Sequence, residues 1–127
     1  MIGERMDRAE ERAEYIGKIR AAQLLDAVFL LFYYNEWSRQ WGPQSERPPE
    51  LGLSEALPAL SQPTYEHALA LVRRMWEDAA AVGLAFHKYH QAGRTFEEEL
   101  VVFKTKNPGF SEESYEMAKH AAFISLR

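Results

Sequence analysis

The amino-acid sequence predicts an all-α protein, and three observations support this fold class. Apolar residues recur at spacings of three and four over long stretches, as they do along one face of an α-helix. No stretch alternates apolar and polar residues between hairpin turns, the pattern typical of β-strands. Five of the six prolines fall between Trp41 and Thr64, and they separate two helical parts of the chain. We therefore predict a single all-α domain over residues 1–127, a helical bundle of two long helices and two shorter C-terminal helices, with a Pro-rich crossover loop over residues 42–63.

The first predicted helix runs from Glu4 to about Trp41. Its first twenty residues hold five acidic and five basic side chains, so we expect residues 1–20 to form a charged, solvated helical arm. Gly17 lies inside this arm, and a glycine costs about 1 kcal/mol relative to alanine within a helix. We therefore expect the helix to fray or bend at Gly17.

The second half of this helix is apolar on two opposite sides. Because such a helix must be covered on both sides, one stripe is expected to pack inside the domain. The other stripe needs either the Pro-rich loop or a second chain as its cover. At about 100° per residue, one stripe holds Ala21, Leu25, Val28 and Phe32, and the other holds Ala27, Leu30, Tyr34, Trp37 and Trp41.

The length of the first helix also bears on whether a partner chain is needed. A straight helix from Glu4 to Trp41 would be ~57 Å long, whereas a compact chain of this size is only ~36 Å across. The helix must therefore break near Gly17, or project from the domain and meet a partner chain.

The Pro-rich loop is longer than most connections in compact domains, so it should be functional, mobile or folded onto the body. Within it, the run from Leu53 to Leu57 suggests one short helical turn, with Ser54 as N-cap and Pro58 as its stop. The leucines of the loop offer an apolar cover for the stripe that contains Trp37 and Trp41. These leucines are Leu51, Leu53, Leu57 and Leu60.

The second long helix should begin near Thr64, with Pro63 in its first turn, and end at Gly93. It carries the strongest periodic signal of the chain, an apolar seam repeated at alternating spacings of three and four. This pattern indicates packing in a helical bundle. The seam comprises Tyr65, Ala68, Val72, Met75, Ala79, Val82, Phe86 and Tyr89.

Two capping signals place the C-terminal helices. Thr95 and Glu98 have the spacing of a capping box, which predicts a third helix over residues 96–106. Ser111 is the predicted N-cap of a fourth helix, and Phe110 and Tyr115 occupy the positions of a hydrophobic staple.

Composition excludes several classes of function. The chain has no cysteine, so it has no disulfide, thiolate nucleophile or cysteine-ligated zinc. Its formal net charge of −4 argues against nucleic acid as a partner, because binding phosphates needs a surplus of lysine and arginine. The most apolar run, residues 24–34, is too short to span a bilayer, which takes about 20 residues. With neither a membrane span nor a targeting signal, the expected location is cytoplasmic.

The sequence carries no recognisable catalytic motif, phosphate-binding loop or HExxH zinc motif, so an enzyme is the less favoured interpretation. His87 and His90 are one helical turn apart, a possible spacing for metal ligands. However, the heptad register puts His90 beside the seam and His87 on its outer flank. We therefore expect no cofactor and no metal site.

The aromatic half of the first helix is the candidate interface, with Leu30, Tyr34, Trp37 and Trp41 as its residues. Aromatic side chains dominate the hot spots of protein interfaces, so we expect a non-enzymatic interaction or regulatory protein that forms a homodimer through this surface. The alternative is a small-molecule- or metal-binding bundle, possibly an enzyme, with a pocket between the two long helices. That pocket would involve Asp26, Tyr33, Glu36 and His90.

Asp26 is the only charged residue in the most apolar run of the sequence. A buried carboxylate must be paired, hydrogen-bonded or protonated. Three expectations stay open at this point: burial with a partner, exposure at the edge of the bundle, and a catalytic role.

Overall fold

The computed structural model describes residues 8–86 and 95–126 of the chain. These residues form six α-helices and two short 3₁₀ helices and contain no strand, so the prediction of an all-α fold is confirmed. The α-helices are α1 (Arg8–Ala21), α2 (Leu24–Glu36), α3 (Leu53–Ala56), α4 (Gln62–Phe86), α5 (Phe96–Lys106) and α6 (Glu112–Leu126). The 3₁₀ helices are Ser38–Gln40 and Gln44–Glu46.

The prediction of one continuous helix up to Trp41 is wrong, because the chain is interrupted at Ala22 and Gln23 and not at Gly17. The reason is packing between the two halves. The rings of Tyr15 and Tyr34 lie 4.9 Å apart, whereas nineteen residues of unbroken helix would separate them by about 28 Å. Only a chain that reverses between α1 and α2 can bring these residues into contact.

The chain divides into two compact units, Met1–Glu66 and His67–Arg127. In the first unit, α1, α2 and the Pro-rich loop share one buried apolar cluster. The prediction of a solvated arm is therefore wrong for one face of α1, where Ile19 is fully buried and Tyr15 and Ile16 pack against the cluster. The buried members of the cluster are Ile19, Ala27, Leu31, Tyr34, Leu51 and Ala56.

Three leucines of the loop contribute to this cluster, which includes neither Trp37 nor Trp41 of the stripe that the loop was predicted to cover. The predicted helical turn is present as α3, although its N-cap is Gly52 and not Ser54. Leu51 is 3% exposed, and Leu53 and Leu57 pack against the cluster.

The predicted seam of α4 is confirmed in the second unit, where every seam residue with a described side chain is at most 1% exposed. The helix begins at Gln62, so Pro63 lies in its first turn, as predicted. The predicted end of this helix at Gly93, together with Phe86 and Tyr89, lies outside the described side chains. The confirmed positions are Ala68, Val72, Met75, Ala79 and Val82.

Both predicted caps of the C-terminal helices are present. The Thr95 hydroxyl accepts from the backbone N–H of Glu98, and the Glu98 carboxylate accepts from the backbone N–H of Thr95, which is the reciprocal capping box. At α6, the Ser111 hydroxyl accepts from the N–H of Ser114 at 3.2 Å. The rings of Phe110 and Tyr115 meet at 6.0 Å, as expected for the staple. In residues 8–86 and 95–126, no helix has the length and apolar character needed to cross a bilayer.

Candidate interaction site

Three arginines of α1 donate hydrogen bonds to the segment that follows α2. They are Arg8, Arg12 and Arg20, and their acceptors are backbone carbonyls and the carboxylate of Glu55. Arg12 makes the strongest contact, because both of its terminal nitrogens donate to the Glu55 carboxylate at 2.8 Å, and its Nη2 also donates to the Glu50 carbonyl at 3.1 Å. Arg20 donates to the carbonyls of Glu55 and Ala56. A guanidinium that binds a carboxylate through two parallel hydrogen bonds fixes geometry as well as charge. These contacts hold the Pro-rich loop against α1.

Electrostatics at Arg12 and Glu55 agree with this geometry. The hydrogen bonds from Arg12 lower the pKa of the Glu55 carboxyl below its ordinary value of 4.5, and the same contact raises the pKa of Arg12. Glu55 lies at the surface, where solvent screens the pair. The contact therefore serves mainly to position the loop.

Asn35 in the last turn of α2 and Arg39 in the 3₁₀ helix that follows also bind the loop. The Asn35 side chain forms two hydrogen bonds with the backbone of Leu51: its Nδ2 donates to the Leu51 carbonyl at 3.0 Å, and its Oδ1 accepts from the Leu51 N–H at 2.8 Å. Arg39 donates to the carbonyl of Pro48 and to the carboxylate of Glu50. These hydrogen bonds hold the loop in place at Pro48, Glu50 and Leu51.

Trp37 and Trp41 form an edge-to-face pair with ring centroids 5.3 Å apart. Trp37 is half-buried, whereas Trp41 is 52% exposed. The backbone under this pair is fixed, because Arg8 donates to the carbonyls of Arg39 and Trp41 at 3.0 and 3.2 Å. Gly42 follows with a φ of 89°, a conformation that glycine adopts without strain. The structure therefore presents an exposed indole on an ordered backbone.

The four predicted interface residues do not form one exposed surface. Tyr34 is fully buried in the cluster of the first unit, and Leu30 packs against the same cluster. Burial raises the pKa of the Tyr34 hydroxyl, an effect that the charge of Arg12 partly offsets. Of the four residues, Trp37 and Trp41 are therefore the candidates for contact with a second protein. Since the first helix breaks at Ala22 and Gln23, its length no longer argues for a partner chain.

The described residues of the predicted pocket all lie on α2. Asp26 is partly buried in the first turn, Tyr33 is buried, and Glu36 is exposed at the last position. Asp26 is thus placed where a carboxylate interacts favourably with the helix dipole. His90, like His87, lies outside the described residues, and no group of three or more possible metal ligands occurs within residues 8–86 and 95–126.

Residues that organise the site and that the sequence interpretation missed are Arg8, Arg12, Asn35 and Arg39. A signal for the first two was present, because Arg8, Arg12 and Ile19 fall on one face of α1. A face that combines apolar and arginine side chains is suited to covering a neighbouring segment. Asn35 gives no such signal, since its partner is sixteen residues away in an irregular segment. Comparisons of the chain with protein-family models, curated proteins and solved structures find no match.

Proposed function

We propose that the protein is a non-enzymatic protein-interaction module that self-associates through the surface around Trp37 and Trp41. One observation carries the proposal: Trp41 is 52% exposed on a backbone that Arg8 holds in place. Tryptophan is enriched among interface hot spots, and an anchor that is ordered before binding loses less conformational entropy when it binds.

The charges around the indole pair favour a second copy of this chain as the partner. Arg39 pairs with Glu50 at 3.3 Å and Arg8 with Glu11 at 3.7 Å, so both signs of charge lie beside the tryptophans. In a symmetric dimer the same patch must be complementary to itself. A patch of mixed charge with an aromatic centre meets this condition, whereas a patch of one sign would repel its copy.

Sedimentation of the purified chain over a wide concentration range tests the proposal. We expect a monomer–dimer equilibrium that Trp41→Ala weakens by about 30-fold or more, since loss of a hot-spot side chain costs about 2 kcal/mol or more. Val101→Ser is the matched control, because Val101 is an apolar residue of the second unit and is 64% exposed. It should leave the equilibrium unchanged.

Two results would contradict self-association through this surface. One is a wild-type chain that remains monomeric at every concentration. The other is a dimer that Trp41→Ala and Val101→Ser weaken equally, which would show that exposed apolar area matters and the indole does not. The proposal includes a cytoplasmic location, which cell fractionation tests.

A further inference from the structure

An open apolar groove of about 540 Å³ lies in the first unit, where the end of α1 meets the segment that follows α3. Pro58 and Ala59 are exposed at this groove, and Leu57 and Leu60 are half-buried in it. One cationic residue, Arg20 of α1, also lies among the described residues that line it. Apolar walls beside a guanidinium are suited to the ring of an aromatic side chain.

The backbone after α3 holds the guanidinium of Arg20 in place. Arg20 Nε donates to the carbonyl of Ala56 at 3.2 Å, and its Nη2 donates to the carbonyl of Glu55 at 2.7 Å. These N–H groups lie in the plane of the guanidinium, so the two hydrogen bonds do not occupy its flat faces. Arg20 is exposed. Arginine stacks through such a face on aromatic rings, and tryptophan is the best partner for a cation–π contact.

The groove and the exposed indole of Trp41 lie at opposite ends of α1. The carbonyl of Trp41 accepts from Arg8 in the first turn of this helix, whereas the groove adjoins Arg20 in its last turn. Twelve residues of helix separate these ends by ~18 Å. In a two-fold dimer whose α1 helices run antiparallel, the Trp41 end of each copy therefore faces the groove end of the other.

We propose that Trp41 of one copy inserts into this groove of a second copy, in two equivalent contacts related by the two-fold axis. The inference rests on the self-association proposed above and names the surface that Trp41 meets. The indole would lie against Pro58 and Leu60, with one face on the guanidinium of Arg20. Since the second contact forms after the first has joined the chains, it adds affinity at a smaller entropic cost.

Two variants that each remove one side of the contact test the proposal when they are mixed. Trp41→Ala keeps the groove and loses the indole, whereas Ala59→Glu keeps the indole and places a charged side chain in the groove. Each variant alone should dimerise about 30-fold or more weakly than the wild type. An equimolar mixture regains one intact contact, so sedimentation should reveal a heterodimer at least about tenfold tighter than either homodimer.

The matched control is Ala70→Glu, the same substitution at an exposed alanine of the second unit. It should dimerise as the wild type does. Because Ala59 is itself exposed, Ala59→Glu should keep the helical circular dichroism of the wild type.

Arg20 provides a second test that does not depend on Ala59→Glu. Arg20→Lys keeps the charge and loses the plane that stacks on the indole, so it should weaken the dimer about tenfold. In a Trp41→Ala background the same substitution should have no further effect, whereas the effects of residues this far apart in one chain would otherwise add. If Arg20→Lys weakens both backgrounds equally, Arg20 acts only through its hydrogen bonds within the chain and the proposal is overturned.

The outcomes distinguish this inference from self-association itself. A wild-type chain that remains monomeric contradicts both. If Trp41→Ala weakens the dimer but Ala59→Glu does not, self-association stands and the insertion of Trp41 into the groove is overturned. A mixture of the two variants that forms no heterodimer has the same meaning, because Trp41 would then contact a different surface of the second copy.

Discussion

Tyr33 combines burial with a shifted ionisation. Burial raises the pKa of its hydroxyl from 10.0 to about 12, and the ring lies 5.6 Å from that of Phe29. Between these two pKa values the folded chain keeps a proton that the unfolded chain has lost. Stability from this group is therefore fully present below pH 10 and decreases as the pH rises toward 12.

Urea unfolding at several alkaline pH values tests this assignment through the difference between wild type and Tyr33→Phe. We expect the wild type to lose stability relative to the variant as the pH rises from 10 to 12, because the variant has no hydroxyl to ionise. Tyr34, whose pKa burial also raises, contributes equally to both proteins and cancels in the difference. The charge of Tyr15, which adds to the raised pKa of Tyr33, is part of the measured difference. If the difference in unfolding free energy between wild type and Tyr33→Phe does not change with pH, the pKa of Tyr33 is not raised.

Asn35 stabilises the loop through its two hydrogen bonds with Leu51. Asn35→Ala would leave the N–H and the carbonyl of a 3% exposed residue without these partners. Buried backbone groups that lose their partners cost about 1–3 kcal/mol each, so we expect a loss of about 2 kcal/mol or more in the free energy of unfolding. Chemical denaturation measures it. Glu36→Ala, at the exposed neighbouring position, is the control and should stay within about 0.5 kcal/mol of wild type.

At the scale of the helix, Gly17 is a position where a substitution should raise the stability of the protein. It lies in the interior of α1, is exposed, and an added Cβ would meet no atom within 4 Å. Gly17→Ala should therefore stabilise the protein by about 1 kcal/mol, through the helix propensity of alanine and the smaller entropy of the unfolded chain. Ala13→Gly at another exposed position of α1 should lose a similar amount, which thermal unfolding can compare. Destabilisation by Gly17→Ala would indicate that this position requires glycine.

The helices show which features the sequence could predict. Thr95 and Glu98 interact within one turn, so the start of α5 is specified locally and was predicted correctly. The break at Ala22 and Gln23 carries no local signal, since neither residue is a glycine or a proline. Its cause is contact between residues far apart in sequence, such as Tyr15 and Tyr34. Periodicity alone identifies an apolar residue but not its partner. For the same reason it could not divide the candidate interface into the buried Tyr34 and the exposed Trp41.

At the scale of the whole chain, the basic residues of α1 are directed at the protein itself. Arg8, Arg12 and Arg20 each donate hydrogen bonds to groups between residues 39 and 56. Phosphate binding requires lysine and arginine that are available to release counterions from the nucleic acid. Together with a net charge of −4, this use of arginine supports our proposal of a protein partner in preference to a nucleic acid.

The two compact units meet in sequence within α4, a single helix that extends from Gln62 to Phe86. If the second unit unfolded alone, only the first turn of this helix would remain, and one isolated turn is unstable in water. That turn carries Tyr65, which packs against the buried cluster of the first unit. We therefore predict that the chain unfolds as one cooperative domain.

A substitution in one unit, observed through a probe in the other, tests this prediction. Thr95→Ala removes the capping box of α5 and should cost about 1 kcal/mol. In a Trp76→Phe background the remaining tryptophans, Trp37 and Trp41, report on the first unit alone. For a single cooperative domain, Thr95→Ala lowers the urea midpoint of this fluorescence signal as much as that of the helical circular dichroism. Thr105→Ala, at an exposed position near the end of α5, is the control. If Thr95→Ala lowers the urea midpoint of the circular dichroism but leaves the fluorescence midpoint unchanged, the two units are instead domains that unfold independently.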